Sequence, residues 1–263
     1  MKTILVSKKK IFYSVTGKGN TLVLLHGFME SSGIWKKFSK QLSAEFRVIT
    51  IDLPGHGKSE RINDVHSMEL MADVIYNILK EERIRKCVMI GHSMGGYVTL
   101  AFAEKYPQLL KGFGLFHSHP FADTPEGRQN RERMIALIRK DKLGFITQFF
   151  GDLFAPATRE NFKHEIEKLI HQTGKMSKED VIAAQEGMKI RQDKTHVLRN
   201  TGIPVLLIIG MKDTRIPVDK TWEVVNLPQH AELQLFQEIA HMGFVEAPKE
   251  TLSAIRGFVK RVF

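Results

Sequence analysis

An α/β architecture, a mostly parallel eight-stranded sheet with helices on both faces, follows from three features of the 263-residue chain. Short apolar runs alternate with amphipathic helical patterns up to His119 and again after Asn200. Several of the runs are continuous rather than alternating, "TLVLLHG" (Thr21 to Gly27) and "VLLIIG" (Val205 to Gly210) among them, as expected of strands covered on both faces. Between Pro120 and Asn200 no strand pattern occurs, only helical periodicity.

The elements read as follows. "TILVS" and "KIFYSV", separated by the Lys8-Lys9-Lys10 run, suggest an opening hairpin with a solvated turn. "TLVLLHG" is the third strand, and "GIWKKFSKQLS" is helical, with Ile34, Trp35, Phe38 and Leu42 at the right spacing. "FRVITIDLPG" is a strand stopped by Pro54 and Gly55, and "SMELMADVIYNILKEE" is a strongly amphipathic helix. "KCVMIG" and "LLKGFGLFHS" are strands on either side of the helix "GGYVTLAFAEKYP". Helices are expected over Glu126 to Lys140, Ala157 to His171 and Ser177 to Lys189. The strands "PVLLIIG" and "AELQLFQ" then alternate with the helices "PVDKTWEVVN" and "FVEAPKETLSAIRGFVKRVF". This divides the chain into a core of residues 1–119 and 201–263 and an all-helical insertion of residues 120–200 after the sixth strand.

Composition narrows the function classes. With 43% hydrophobic and 26% charged residues the chain has globular rather than disordered composition. The apolar patch Ile4 to Val6 is too short for a signal-peptide core, and "VLLIIG" falls far short of the roughly 20 residues of a membrane helix. The single Cys87 excludes an internal disulfide framework, so a soluble, cytoplasmic protein without a membrane partner is expected. A net charge of +10 invites a nucleic-acid partner. The basic residues are scattered, however, and no aromatics interleave with them, so no nucleic acid is expected. A weak preference for acidic partners stays open. The inserted segment, with 15 Lys/Arg against 12 Asp/Glu, is not where the excess lies.

The chemistry is carried by Gly91-His92-Ser93-Met94-Gly95, a G-x-S-x-G pentapeptide between a strand and a helix. A serine on such a turn is exposed beside a helix N-terminus, and its neighbours two residues away must lack clashing side chains. The hydroxyl needs a base and an orienting acid. His241 follows the last strand, in the loop before the closing helix, and Asp213 follows the strand "VLLIIG". The order Ser93, Asp213, His241 suits this type of site, and both partners stand at strand C-terminal ends. Asp123 is a weaker alternative for the acid. For a developing oxyanion, the backbone N–H groups of Phe28, after "LLHG", and Met94 are the candidates.

Together "LLHGF", "DLPGHGKS", "GHSMGG", Gly210-x-x-Asp213 and "AHMGF" resemble the α/β-hydrolase superfamily, across the core on both sides of the insertion. The resemblance implies a cap after the sixth strand and, for "DLPGHGKS", a structural role rather than catalysis by His56. Within the superfamily, haloalkane dehalogenases and epoxide hydrolases carry an aspartate where Ser93 stands. The chain looks similar to the pimeloyl-carrier methyl esterases and the menaquinone-pathway lyases. A serine hydrolase acting on a small-molecule acyl substrate, an ester or thioester, is the expectation, with no cofactor and no metal. Carbon–carbon hydrolysis or lyase chemistry on the same three residues is one alternative, and a non-catalytic small-molecule binding protein is another.

Phe145, Phe149, Phe150 and Phe154 recur at helical spacing and read as packing within the cap, with Phe149 a candidate for lining the substrate pocket. His117 and His119, if in a strand, share a face. With no third ligand nearby they are candidates for substrate binding rather than metal ligation.

Overall fold

The structure, a computed structural model, describes residues 1–216 and 218–263. Among the described residues, eight strands form one sheet in the order β1-β2-β4-β3-β5-β6-β7-β8. They are β1 (Lys2–Val6), β2 (Lys9–Thr16), β3 (Thr21–Leu25), β4 (Arg47–Ile51), β5 (Cys87–His92), β6 (Leu110–Phe116), β7 (Val205–Gly210) and β8 (Ala231–Phe236). The hairpin β1–β2 turns on Ser7 and Lys8, both at positive φ (50° and 65°), which matches the twist of a two-residue connection. β2 pairs antiparallel with β4, and every later pairing is parallel. The continuous apolar runs fall where expected: β3 and β5 are buried throughout.

The helices α1 (Lys36–Leu42), α2 (Met68–Glu81) and α3 (Met94–Lys105) connect the first six strands. A 3-10 turn, Ser32–Trp35, leads into α1, so Trp35 is buried ahead of the α-helix rather than within it. α2 starts at Ser67, whose hydroxyl accepts the Leu70 N–H at 3.1 Å, and it buries Met71, Val74, Ile75, Ile78 and Leu79.

Between β6 and β7 lie α4 (Pro125–Lys140), α5 (Lys142–Gly151), α6 (Lys163–Thr173), α7 (Lys178–Lys189) and α8 (Thr195–Asn200). The Phe-rich piece is α5, capped by Asp141. It ends at Gly151, so Phe154 lies beyond the helix and the four phenylalanines do not share one helical face; Phe150 and Phe154 are buried, Phe145 and Phe149 half-buried. α7 begins with a reciprocal capping box between Ser177 and Asp180. This helical segment touches the loops and helices around the sheet directly. Thr173 donates to Met29 O at 2.5 Å, His66 N–H to Ala183 O at 2.9 Å, and Lys194 bridges Glu104 and Glu69 at 2.5 and 3.2 Å.

After β7, the expected helix "PVDKTWEVVN" begins at Pro217, which lies outside the described residues; α9 is described over Val218–Val225. The short α10 (Gly243–Glu246) and the closing α11 (Pro248–Val262) follow β8, and α11 buries Leu252, Ile255, Phe258 and Val259. No helix among the described residues is long and apolar enough to cross a membrane.

Candidate active site

Ser93 sits between β5 and α3 with φ 50° and ψ −116°, a region that L-residues rarely adopt. The surroundings hold it there. Its N–H donates to Phe116 O at 2.9 Å, and its carbonyl accepts from Gly96 N–H and the Ser118 hydroxyl, both at 2.8 Å. The flanking glycines are required by contact rather than by dihedral: a Cβ on Gly91 would stand 2.1 Å from Gly95 O, and one on Gly95 would stand 2.7 Å from His26 O.

Asp213 follows β7 and His241 follows β8, so the parallel order of the sheet carries both to the same edge as Ser93. The three meet there. His241 Nε2 lies 2.8 Å from Ser93 Oγ, and His241 Nδ1 lies 2.7 Å from Asp213 Oδ2. The other Asp213 oxygen accepts the N–H groups of Arg215 (2.8 Å) and Ile216 (3.2 Å). Burial pushes the Asp213 carboxyl up, but the facing His241, its hydrogen bond, His117 and the Arg215 N–H hold it below the usual carboxylate value. Asp213 is therefore an anion that orients the imidazole with its proton on Nδ1, leaving Nε2 free to accept from the hydroxyl.

Two N–H groups complete the geometry. Phe28 and Met94 are both buried, and among the described residues neither backbone N–H meets an acceptor in the chain. Met94 is the first residue of α3, where an unpaired N–H belongs to the helix end. The loop carrying Phe28 is braced by His26, whose Nδ1–H donates to Gly27 O at 2.8 Å while Nε2 accepts Leu53 N–H at 3.0 Å. Burial drives this imidazole down to about 3, so it stays neutral in that role. The Phe28 ring meets Phe149 edge-on at 5.5 Å, and the Arg215 guanidinium covers Phe149 at 4.8 Å. The pocket candidate Phe149 is thus packed on Phe28.

The two remaining histidines part company. The strand ends at Phe116 and His117 takes φ 49°, so the alternation expected of His117 and His119 breaks between them. His117 turns under the Asp213–His241 pair, its Nδ1 3.7 Å from Asp213 Oδ2. Gly210 and Gly243 N–H groups face its two nitrogens at 3.2 and 3.3 Å, of which a neutral ring can accept at one. Burial drives it well below its ordinary value. His119 instead contacts Tyr97 and Phe121. The weaker acid candidate Asp123 is held by Arg131 and Arg191. No group of three or more His, Cys, Asp or Glu among the described residues could hold a metal.

Sequence reasoning passed over Glu246. Its carboxylate accepts the N–H groups of Ala240 and Met242, both at 3.1 Å, on either side of His241, and that of Ala155 at 3.3 Å. The only signal was its position five residues after the histidine, at the foot of a short helix.

A family model described as alpha/beta hydrolase fold matches residues 20–133. A pimeloyl-[acyl-carrier protein] methyl ester esterase of Nitrosomonas europaea is 30% identical over 252 residues, covering 92% of this chain and 97% of that one. The chain belongs to the α/β-hydrolase family. A thermophilic esterase of Thermogutta terrifontis superposes with a TM-score of 0.94 at 30% identity, covering 100% of this chain and 99% of the other. A 2-hydroxy-6-oxononadienedioate/2-hydroxy-6-oxononatrienedioate hydrolase of Burkholderia vietnamiensis is 28% identical across 96% of this chain and 91% of its own length. This α/β hydrolase is an enzyme of the serine hydrolase class, in keeping with the esterases and hydrolases it resembles.

Proposed function

We propose that this chain hydrolyses a small carboxylic ester or thioester through an acyl-enzyme formed on Ser93. The observation that carries the reading is the unbroken chain Asp213 Oδ2, His241 Nδ1, His241 Nε2, Ser93 Oγ, with links of 2.7 and 2.8 Å. His241 takes the hydroxyl proton as Oγ adds to the substrate carbonyl, and the Asp213 anion stabilises the imidazolium so formed. The Phe28 and Met94 N–H groups, unpaired within the chain, receive the oxyanion. His241 returns its proton to the departing alcohol or thiol, then deprotonates a water that attacks the acyl carbon. Collapse of the second adduct releases the carboxylic acid and restores the Ser93 hydroxyl.

The helices between β6 and β7 serve as a cap in this reading, with Phe149 lining the acyl pocket beside Phe28. The buried, unpaired Cys87 suits a cytoplasmic enzyme, and the net charge of +10 favours anionic substrates or partners at long range. Ser93→Ala should abolish turnover of short p-nitrophenyl esters while the circular dichroism spectrum stays unchanged, and a fluorophosphonate should label the wild type at Ser93 alone. Retained turnover in the variant would refute the assignment. A second reading, carbon–carbon bond hydrolysis, draws on the Burkholderia relative. Turnover of a vinylogous 1,5-diketone with no turnover of simple esters would favour it.

A further inference from the structure

Directly behind the Ser93–His241 contact lies a charged pair that the reaction above does not use. Glu30 and His92 have side chains only 1% exposed, and they meet at 3.0 Å between Oε2 and Nδ1. The same Glu30 oxygen accepts the Gly27 N–H at 2.5 Å. On its far side His92 Nε2 lies 2.9 Å from the carbonyl oxygen of His241. A carbonyl only accepts, so Nε2 carries a proton. Nδ1 faces a carboxyl oxygen that also accepts the Gly27 N–H, an arrangement that favours the anion on Glu30 and a second proton on the ring.

We propose that Glu30 and His92 form a buried carboxylate–imidazolium pair that positions the reacting groups, acting through the backbones of Gly27 and His241. The inference rests on the reading of Ser93 and His241 given above. One end of the pair anchors the residue before Phe28, whose N–H is an oxyanion donor. The middle is the residue before Ser93. The other end anchors the backbone of the base itself. Three segments far apart in the chain, around residues 27, 92 and 241, are thereby set at one spacing.

Stability does not account for such a pair. Taking two charges out of water is costly, and apolar residues of similar size often serve as well or better. The surroundings would suit them, since Phe116 and Phe244 pack on the His92 ring at 5.7 and 5.1 Å. Burial alone would push His92 down and Glu30 up. Their mutual attraction and hydrogen bonds outweigh it, so His92 stands above and Glu30 below its ordinary value. What the pair supplies is placement, which reaction rates reward steeply: an error of about 1 Å can cost on the order of 100-fold.

Two measurements test this. Glu30→Gln removes the charge, and a neutral His92 can then serve Glu30's position or His241 O, but not both as a donor. With rates normalised to fluorophosphonate-titrated Ser93, kcat on p-nitrophenyl acetate should fall about 10- to 100-fold with KM within about 2-fold. An unchanged kcat in a folded variant overturns the proposal, because a purely structural role would lower Tm alone. Should the variant fail to fold, the wild type decides. Nitrogen-15 spectra should show His92 doubly protonated at pH 8, with Glu30, His241, His117 and Asp213 facing or near it and His26 beside Glu30; a neutral ring overturns the proposal. Activity surviving Ser93→Ala would instead remove the reading on which the proposal rests, so the two failures are distinguishable.

Discussion

Asp213 uses both its oxygens, one on His241 and one on the Arg215 and Ile216 N–H groups, and so cannot rotate without losing three bonds. Asp213→Asn keeps the shape but can present an amide N–H to the imidazole, which favours the wrong tautomer. On the proposed mechanism kcat should fall about 1,000- to 10,000-fold with little change in Tm, measured by ester turnover and thermal melting. The candidates Ser93 and Asp213 were legible in the sequence because each follows a continuous apolar strand, His241 because it stands between the last strand and the closing helix, and the glycines around Ser93 announce a tight turn. The contacts of Glu30, His92 and Glu246 were not. They lie with partners 62 and 149 residues away, or with backbone groups, and side-chain identity alone does not reveal either.

At the level of elements, the antiparallel edge of the sheet depends on one carboxylate. Glu82, just past the end of α2, accepts from Lys2 (2.7 Å), the Tyr13 hydroxyl (2.7 Å) and Arg47 (2.5 Å), tying β1, β2 and β4 to the helix. Burial works against the charge, but these three partners hold the Glu82 carboxyl below its ordinary value. Its stabilising contribution is therefore full above the unfolded-state value of about 4.3 and is lost as the pH falls through the lower folded value. Glu82→Ala should cost about 1–3 kcal/mol in urea unfolding at pH 7, and less at pH 3. Strands and the long amphipathic helices were readable here because period and burial agree. The Phe-rich segment was harder: its spacing continues a helix to Phe154, but Gly151 and Asp152 end α5 first.

For the whole molecule, the helical segment leaves at the end of β6 and returns at the start of β7, two strands that are neighbours in the sheet. The sheet could close over that gap whatever the length of the segment. Yet the segment reaches back to His241: its N–H donates to Leu153 O at 3.0 Å, and Ala155 N–H donates to the same Glu246 that accepts from the residues on either side of His241. This makes the segment an exchangeable part with a fitting attached. A chimera that takes residues 121–199 from another hydrolase should acquire new ester preference, but kcat should survive only where the transplant restores an acceptor at the place of Leu153 and a donor at that of Ala155. Paired transplants with and without that turn, compared by kcat on p-nitrophenyl acetate, check the expectation. Ester preference would then travel with residues 121–199 as a block, and the bonds of Leu153 O to the His241 N–H and of the Ala155 N–H to Glu246 are what any such block must keep.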